Sequence, residues 1–174
     1  MTMKRTWIVS LTAALALTAC PAAPAMPVGT PVPAELQGEW LYGRVSSIGY
    51  YDPATGTWGQ PAGAGDRFKL EPNGNYERSR LIQLTTYGCE SYLFIWERGT
   101  VKIDLAQSRI SFQPGDGVVK SQSCSAANSY EKKGPGSVKP ETYDAELGQN
   151  DTGKPLLRLS MVGGEGSALY GRPQ

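Results

Sequence analysis

Thr100-Val101-Lys102-Ile103-Asp104-Leu105 is followed, after Ala106-Gln107-Ser108, by Arg109-Ile110-Ser111-Phe112-Gln113. In both runs apolar and polar side chains alternate with period two. Val101, Ile103 and Leu105 share one face and Ile110 and Phe112 share another, while Lys102, Asp104, Arg109, Ser111 and Gln113 point the opposite way. This is the signature of half-buried strands in an antiparallel sheet, one face on a core and the other in water. The same alternation recurs at Tyr143, Ala145 and Leu147, and at Leu157, Leu159 and Met161. Helical spacing is not sustained anywhere after Cys20.

Turn chemistry separates these runs at short intervals: Asp52-Pro53-Ala54-Thr55-Gly56, Pro72-Asn73-Gly74-Asn75, Pro114-Gly115-Asp116-Gly117 and Asn150-Asp151-Thr152-Gly153. Asn73-Gly74 is the strongest of them, because a two-residue type I′ hairpin needs residues that tolerate positive φ. Strands are therefore predicted over 38–51, 66–71, 75–86, 91–98, 100–105, 109–113, 118–121, 142–147, 155–161 and 167–172. Gly99 is expected to form a bulge or bend between two of them. Eight to ten short antiparallel strands in meander order predict an all-β domain. It is an up-and-down barrel, whose closure removes exposed edges, or a sandwich.

The amino terminus has a different logic. Lys4 and Arg5 precede an almost wholly apolar or small stretch, Trp7 to Ala19, with no acidic residue, the order of a secretory signal. The stretch is too short to span a bilayer, which takes roughly 20 apolar residues. The run ends at Leu17-Thr18-Ala19-Cys20, which resembles the lipobox of bacterial lipoproteins. That resemblance implies removal of residues 1–19, a diacylglycerol thioether on Cys20 and acylation of the new amino group, with palmitate among the expected chains. Two or three acyl chains hold a protein stably on a membrane where one does not. With Pro21 rather than aspartate after the cysteine, the lipoprotein sorting rule implies the outer membrane if the cell is Gram-negative.

Residues 20–34 contain Pro21, Pro24, Pro27, Pro31 and Pro33 among small residues. Such a composition favours extended polyproline, and at ~3.1 Å per residue it makes a tether of roughly 40 Å. The expected domains are thus a signal at 1–19, a lipidated tether at 20–34 and a β-barrel at 35–174.

The seventeen basic residues, less Lys4 and Arg5, stand against sixteen acidic ones, so the mature chain carries a net charge near −1. A balance so even, with no basic run, argues against nucleic acid as a partner. Export places the two remaining cysteines, Cys89 and Cys124, in an oxidising compartment, where pairing them is the economical reading. The chain has no histidine. Ser-His and Cys-His dyads are therefore excluded and the usual zinc sphere is left incomplete, so neither a metal nor a cofactor nor catalysis is expected. Asp52, Asp66, Glu71 and Glu90 are read as solvated turn or edge groups.

Leu36-Gln37-Gly38-Glu39-Trp40 resembles the Gly-x-Trp element that opens the first strand of lipocalins and related calycin barrels. The resemblance implies a barrel with a cavity, in which Trp40 closes one end and packs against a basic residue of the last strand; Arg172 stands in that place. No Thr-Asp-Tyr element accompanies the motif, and the family's carboxy-terminal helix is not expected after the last strand.

Three residues are singled out as possible ligand or partner contacts. Trp58, in a Gly- and Pro-rich loop, either presents its indole or folds back to plug a barrel end. Arg78 and Arg80 share a strand face with Tyr76, Ile82 and Leu84. Facing inward they would meet an anionic head group, and facing outward they are solvated charges. The rarity of buried unpaired charge favours the outward reading. The functional expectation is a lipid-anchored envelope protein whose barrel binds a hydrophobic or amphipathic small molecule. The alternative is a structural or interaction module with a filled barrel that contacts another envelope protein.

Overall fold

A computed structural model describes residues 29–43, 51–52, 55–58 and 64–173, and of Tyr51 and Trp58 the backbone alone. The signal, Cys20, most of the tether and the outer part of the strand expected over 38–51 lie outside these residues. In chain order the strands are β1 (Gly38–Gly43), β2 (Tyr51–Asp52), β3 (Thr57–Trp58), β4 (Gly65–Leu70), β5 (Asn75–Thr86), β6 (Cys89–Asp104), β7 (Arg109–Gln122), β8 (Tyr130–Lys133), β9 (Glu141–Gln149), β10 (Pro155–Met161) and β11 (Ser167–Gly171), with one 3-10 turn at Ala126–Asn128.

The domain is all-β. Eight antiparallel strands close into an up-and-down barrel: β1 pairs with β4, β4 with β5, β5 with β6, β6 with β7, β7 with β9, β9 with β10 and β10 with β11. β11 returns to β1 at Leu41–Gly171, so the sheet has no free edge there. β8 is the extra strand. It pairs with the second half of β7 (Val118–Ser121), whereas β9 pairs with the first half (Arg109–Phe112). β2 and β3 form a separate small hairpin between β1 and β4.

Pro114-Gly115-Asp116-Gly117 is not a turn. β7 runs through it and β6 runs unbroken past Gly99, because the turn-forming residues are used as a bulge instead. Gly99 faces Pro114 and Arg98 faces Asp116, which leaves Gly115 as the extra residue. Pro72-Asn73-Gly74 does turn the chain, but not as a two-residue type I′ loop. The Gly74 amide donates to the Glu71 carbonyl and the Glu71 amide to the Asn75 carbonyl, and only Gly74 has positive φ, at 85°. The loop is one turn with a left-handed glycine at its end, a shape that needs glycine once rather than twice.

Register fixes which side chains face the lumen. Trp40 lies opposite Phe68, Phe68 opposite Arg78 and Arg78 opposite Glu97. Around this row the lumen is filled at one end by Val32, Leu36, Leu70, Val101, Ile110, Phe112, Leu157 and Leu159. Phe112 is the hub of the aromatic packing, edge-on to Phe68 at 5.4 Å, to Tyr76 at 4.9 Å and to Tyr143 at 5.9 Å. Full burial of each such side chain contributes about 1.5–3 kcal/mol.

The segment leading into β1 closes this end. Val32 and Leu36 are buried, the Thr30 amide donates to the Val101 carbonyl and the Val32 amide to the Pro72 carbonyl. Gly29 lies so close to Gly74 that a Cβ on either would strike the other's backbone. Residues 29–34 therefore belong to the folded unit and not to a free tether as expected. Val32 gives this part of the proline-rich stretch an apolar side chain to bury, and its amides find carbonyls on the barrel floor.

Candidate functional site

Of the 76–84 face of β5, the 76–80 part looks inward, not outward, and the reason is that its guanidiniums are not unpaired; Ile82 and Leu84 are exposed. The Arg78 side chain is 2% exposed and Glu97 1%. Asp66 of β4, Glu97 of β6 and Glu141 of β9 all reach the same layer of the lumen. Arg78 Nε donates to Asp66 Oδ1 at 3.0 Å, its Nη2 to Asp66 Oδ2 and to the Tyr143 hydroxyl at 3.2 Å, and its Nη1 to Glu141 Oε2 at 3.1 Å. Arg80 Nη1 donates to both Glu141 oxygens, at 2.9 and 2.8 Å, and its Nη2 to Glu97 Oε2 at 3.5 Å. Three tyrosines complete the layer as donors: Tyr170 to Asp66 at 2.8 Å, Tyr143 to Glu141 at 2.6 Å and Tyr76 to Glu97 at 3.3 Å. The Arg78 guanidinium also lies 4.8 Å from the Phe112 ring centre, so the charged layer rests directly on the apolar core.

Electrostatics separates Glu97 from Glu141. Burial pushes the Glu97 carboxyl up against the pull of Arg80 and Arg78, with Glu141 and Asp66 pushing the same way. Burial also works against ionised Glu141, but Arg80, Tyr143 and Arg78 outweigh it and hold that carboxyl below the usual range. For Arg78 burial opposes the charge, yet Asp66 keeps the guanidinium protonated well beyond its ordinary range. Arg80 Nε is buried with no hydrogen-bond partner among the described residues.

Above this layer the described residues leave the barrel open. A cavity of about 520 Å³ is lined by Asp66, Arg78, Arg80 and Ile82 from β4 and β5, by Tyr143, Leu159 and Met161 from β9 and β10, and by Tyr42, Ala168 and Tyr170 from β1 and β11, with Glu165 on the loop before β11. β5 and β6 continue past the rim as a hairpin, on which Leu84 is 62% exposed and Tyr87 wholly so. Cys89 and Cys124 form a disulfide that ties this hairpin to the loop after β7.

At the closed end the Arg172 guanidinium lies 3.7 Å above the Trp40 ring. It donates to the carbonyls of Gln37 at 2.6 Å, Glu39 at 3.1 Å and Glu35 at 2.8 Å, and the Trp40 indole donates to the Leu36 carbonyl at 2.8 Å. Gly38 makes this possible. Its φ is 87°, and a Cβ there would crowd Arg172 Nη1 at 3.2 Å.

The structure thus brings Arg78 and Arg80 together in one site and places Trp40 and Arg172 at the opposite end. The backbone of Trp58 pairs with Tyr51 in the β2–β3 hairpin, and its side chain lies outside the described residues. Asp66, read as a solvated group, is instead 7% exposed. A usable signal was present, because Asp66 alternates with Phe68 and Leu70, and Glu141 with Tyr143 and Ala145, as inward residues do. Glu97 had no such signal, since both faces of Leu93 to Trp96 are apolar.

Fold and site together define an antiparallel barrel plugged at one end, open at the other among the described residues, and crossed between them by an ion-pair layer. No protein-family model matches the chain, and neither the curated proteins nor the solved structures yield a match.

Proposed function

We propose that this is a lipid-anchored lipoprotein of the cell envelope whose barrel takes up one hydrophobic or amphipathic small molecule through its open end, without catalysis. The observation that carries the reading is the cavity of about 520 Å³ above the ion-pair layer. Sites for single small molecules occupy about 300–1,000 Å³ and combine apolar walls with a few polar groups, and here Ile82, Leu159, Met161 and Ala168 stand over Asp66 and Arg80. The Trp40–Arg172 stack supports a lipocalin-like arrangement, and Leu17-Thr18-Ala19-Cys20 supports the anchor, with the outer membrane as its location if the cell is Gram-negative.

The neutral fluorophore N-phenyl-1-naphthylamine tests the cavity. Its fluorescence is expected to rise saturably with the protein and to lose that rise in Ala168→Trp, whose indole fills the space. A flat response with the unsubstituted protein would refute the reading. Cys20→Ser is expected to move the protein from the detergent phase to the aqueous phase on fractionation, and a mutant that stays with detergent would refute the anchor.

A second reading, contact with another envelope protein, draws on Leu84 and Tyr87 at the hairpin tip. It expects Leu84→Ser with Tyr87→Ser to abolish capture of a partner from envelope extracts while probe uptake is unchanged.

A further inference from the structure

We infer that the cavity selects a cationic head group: it takes an organic ammonium ion with an apolar body and disfavours a carboxylate on the same body. The inference rests on the small-molecule reading above and adds the chemistry of the ligand.

The first observation is the state of the donors. An anion would need free N–H groups, but each nitrogen of Arg78 already faces a carboxylate or a tyrosine oxygen. Arg80 is spent on Glu141 and Glu97, and its remaining Nε is buried out of reach. The anion site imagined for inward-facing arginines is therefore filled from within the barrel.

The second observation is the sign of the charge. Two guanidiniums, Arg78 and Arg80, face three carboxylates, Asp66, Glu97 and Glu141, within the layer. Of these five, Asp66, Arg78 and Arg80 line the cavity and Glu97 and Glu141 lie in the layer beneath it, while Glu165, on the exposed loop between β10 and β11, adds a carboxylate at the mouth. If Glu97 takes up a proton, the layer is balanced, and with Glu165 the described groups in and beneath the cavity still hold one more carboxylate than guanidinium. A low-dielectric wall focuses such a field on whatever enters.

The third observation is aromatic. Tyr42 and Tyr170 line the cavity side by side, with ring centres 5.8 Å apart, and Tyr170 is hydrogen-bonded to Asp66. Aromatic rings next to carboxylates are what an alkylammonium recognises, by cation–π attraction and charge together. Leu159, Met161 and Ile82 would then cover the apolar body.

The test is displacement of bound N-phenyl-1-naphthylamine from the full mature protein by decyltrimethylammonium and by decanoate at low ionic strength. The ammonium is expected to displace the probe at a concentration at least about tenfold lower than decanoate. That gap should narrow in high salt and in Glu165→Gln, an exposed position whose replacement does not disturb the core. Decanoate displacing as well as or better than the ammonium, or neither ion displacing a probe that does bind, would overturn the inference and leave the small-molecule reading standing. Failure of the probe itself to bind would instead remove both.

Discussion

Arg78 concentrates the energetic risk of this protein at one residue. Its guanidinium is buried with Asp66, Glu141, Tyr143 and the Phe112 ring around it. Removing one partner of a buried pair strands the other charges, which costs more than the pair itself contributes. Arg78→Met is accordingly expected to lower the unfolding free energy by about 3–5 kcal/mol, measured by urea denaturation. A loss under about 1 kcal/mol would mean that water reaches the layer and solvates Asp66.

Glu97 supplies a pH signature with a definite sign. Burial raises its carboxyl in the folded state, so between the ordinary glutamate range and the raised value the native protein holds a proton that the unfolded chain has released. This contribution falls as pH rises through that window. Glu141 and Glu39 act oppositely. Arg80, with Tyr143 and Arg78, outweighs the burial of Glu141, and the Arg67 hydrogen bond lowers Glu39, so their stabilisation is lost as pH falls through their lowered values. Glu97→Gln is expected to remove the decline on the alkaline side of the glutamate range and to leave the acid limb intact. Denaturation midpoints taken across pH 4 to 9 would show it, and an unchanged alkaline slope would assign that slope elsewhere.

Among the elements, the β5–β6 hairpin depends most on something other than core packing. Beyond the rim its residues from Ile82 to Gly88 are exposed, and Cys89–Cys124 is its tie to the loop after β7. Closing a loop of sequence separation 35 stabilises by about 4 kcal/mol on the chain-entropy account. Reduction is expected to cost up to that amount and to raise amide exchange in the hairpin tip more than in β10. Two freely alkylated thiols in the unreduced, unfolded chain would instead contradict the bridge.

Elements were legible where one face is apolar and the ends carry turn residues. The runs at 75–86 and 155–161 became β5 and β10 with those same limits. Pro114 to Gly117 misled because the residues that make a turn also make a bulge, and only the partner strand decides between the two. β8, Tyr-Glu-Lys-Lys, has no buried side chain and thus no periodicity to read; its pairing comes from the free half of β7. For the site, the shared face of Arg78 and Arg80 was legible. Their partner Glu141 is 63 and 61 residues away, and barrel closure alone sets it opposite them.

At the scale of the whole molecule the barrel has two unlike ends. The closed end is sealed by Val32, Leu36 and the Trp40–Arg172 stack, and the chain enters there through Gly29 against Gly74. The open end bears the cavity, the hairpin and the disulfide. The charged layer lies between them, and neither Trp40 nor Arg172 lines the cavity. Loss of the closing stack should therefore destabilise the fold without abolishing the cavity. Trp40→Ala is expected to cost about 3–5 kcal/mol in thermal or urea unfolding while probe uptake persists at temperatures where the protein remains folded.

Native mass spectrometry of Cys20→Ser protein, prepared without detergent and titrated with N-phenyl-1-naphthylamine, tests the central claim most directly. The account predicts one bound molecule per chain, at a stoichiometry that saturates, and none in Ala168→Trp. A chain that stays folded yet retains no ligand at any concentration, or that takes up several with no change in Ala168→Trp, would contradict it.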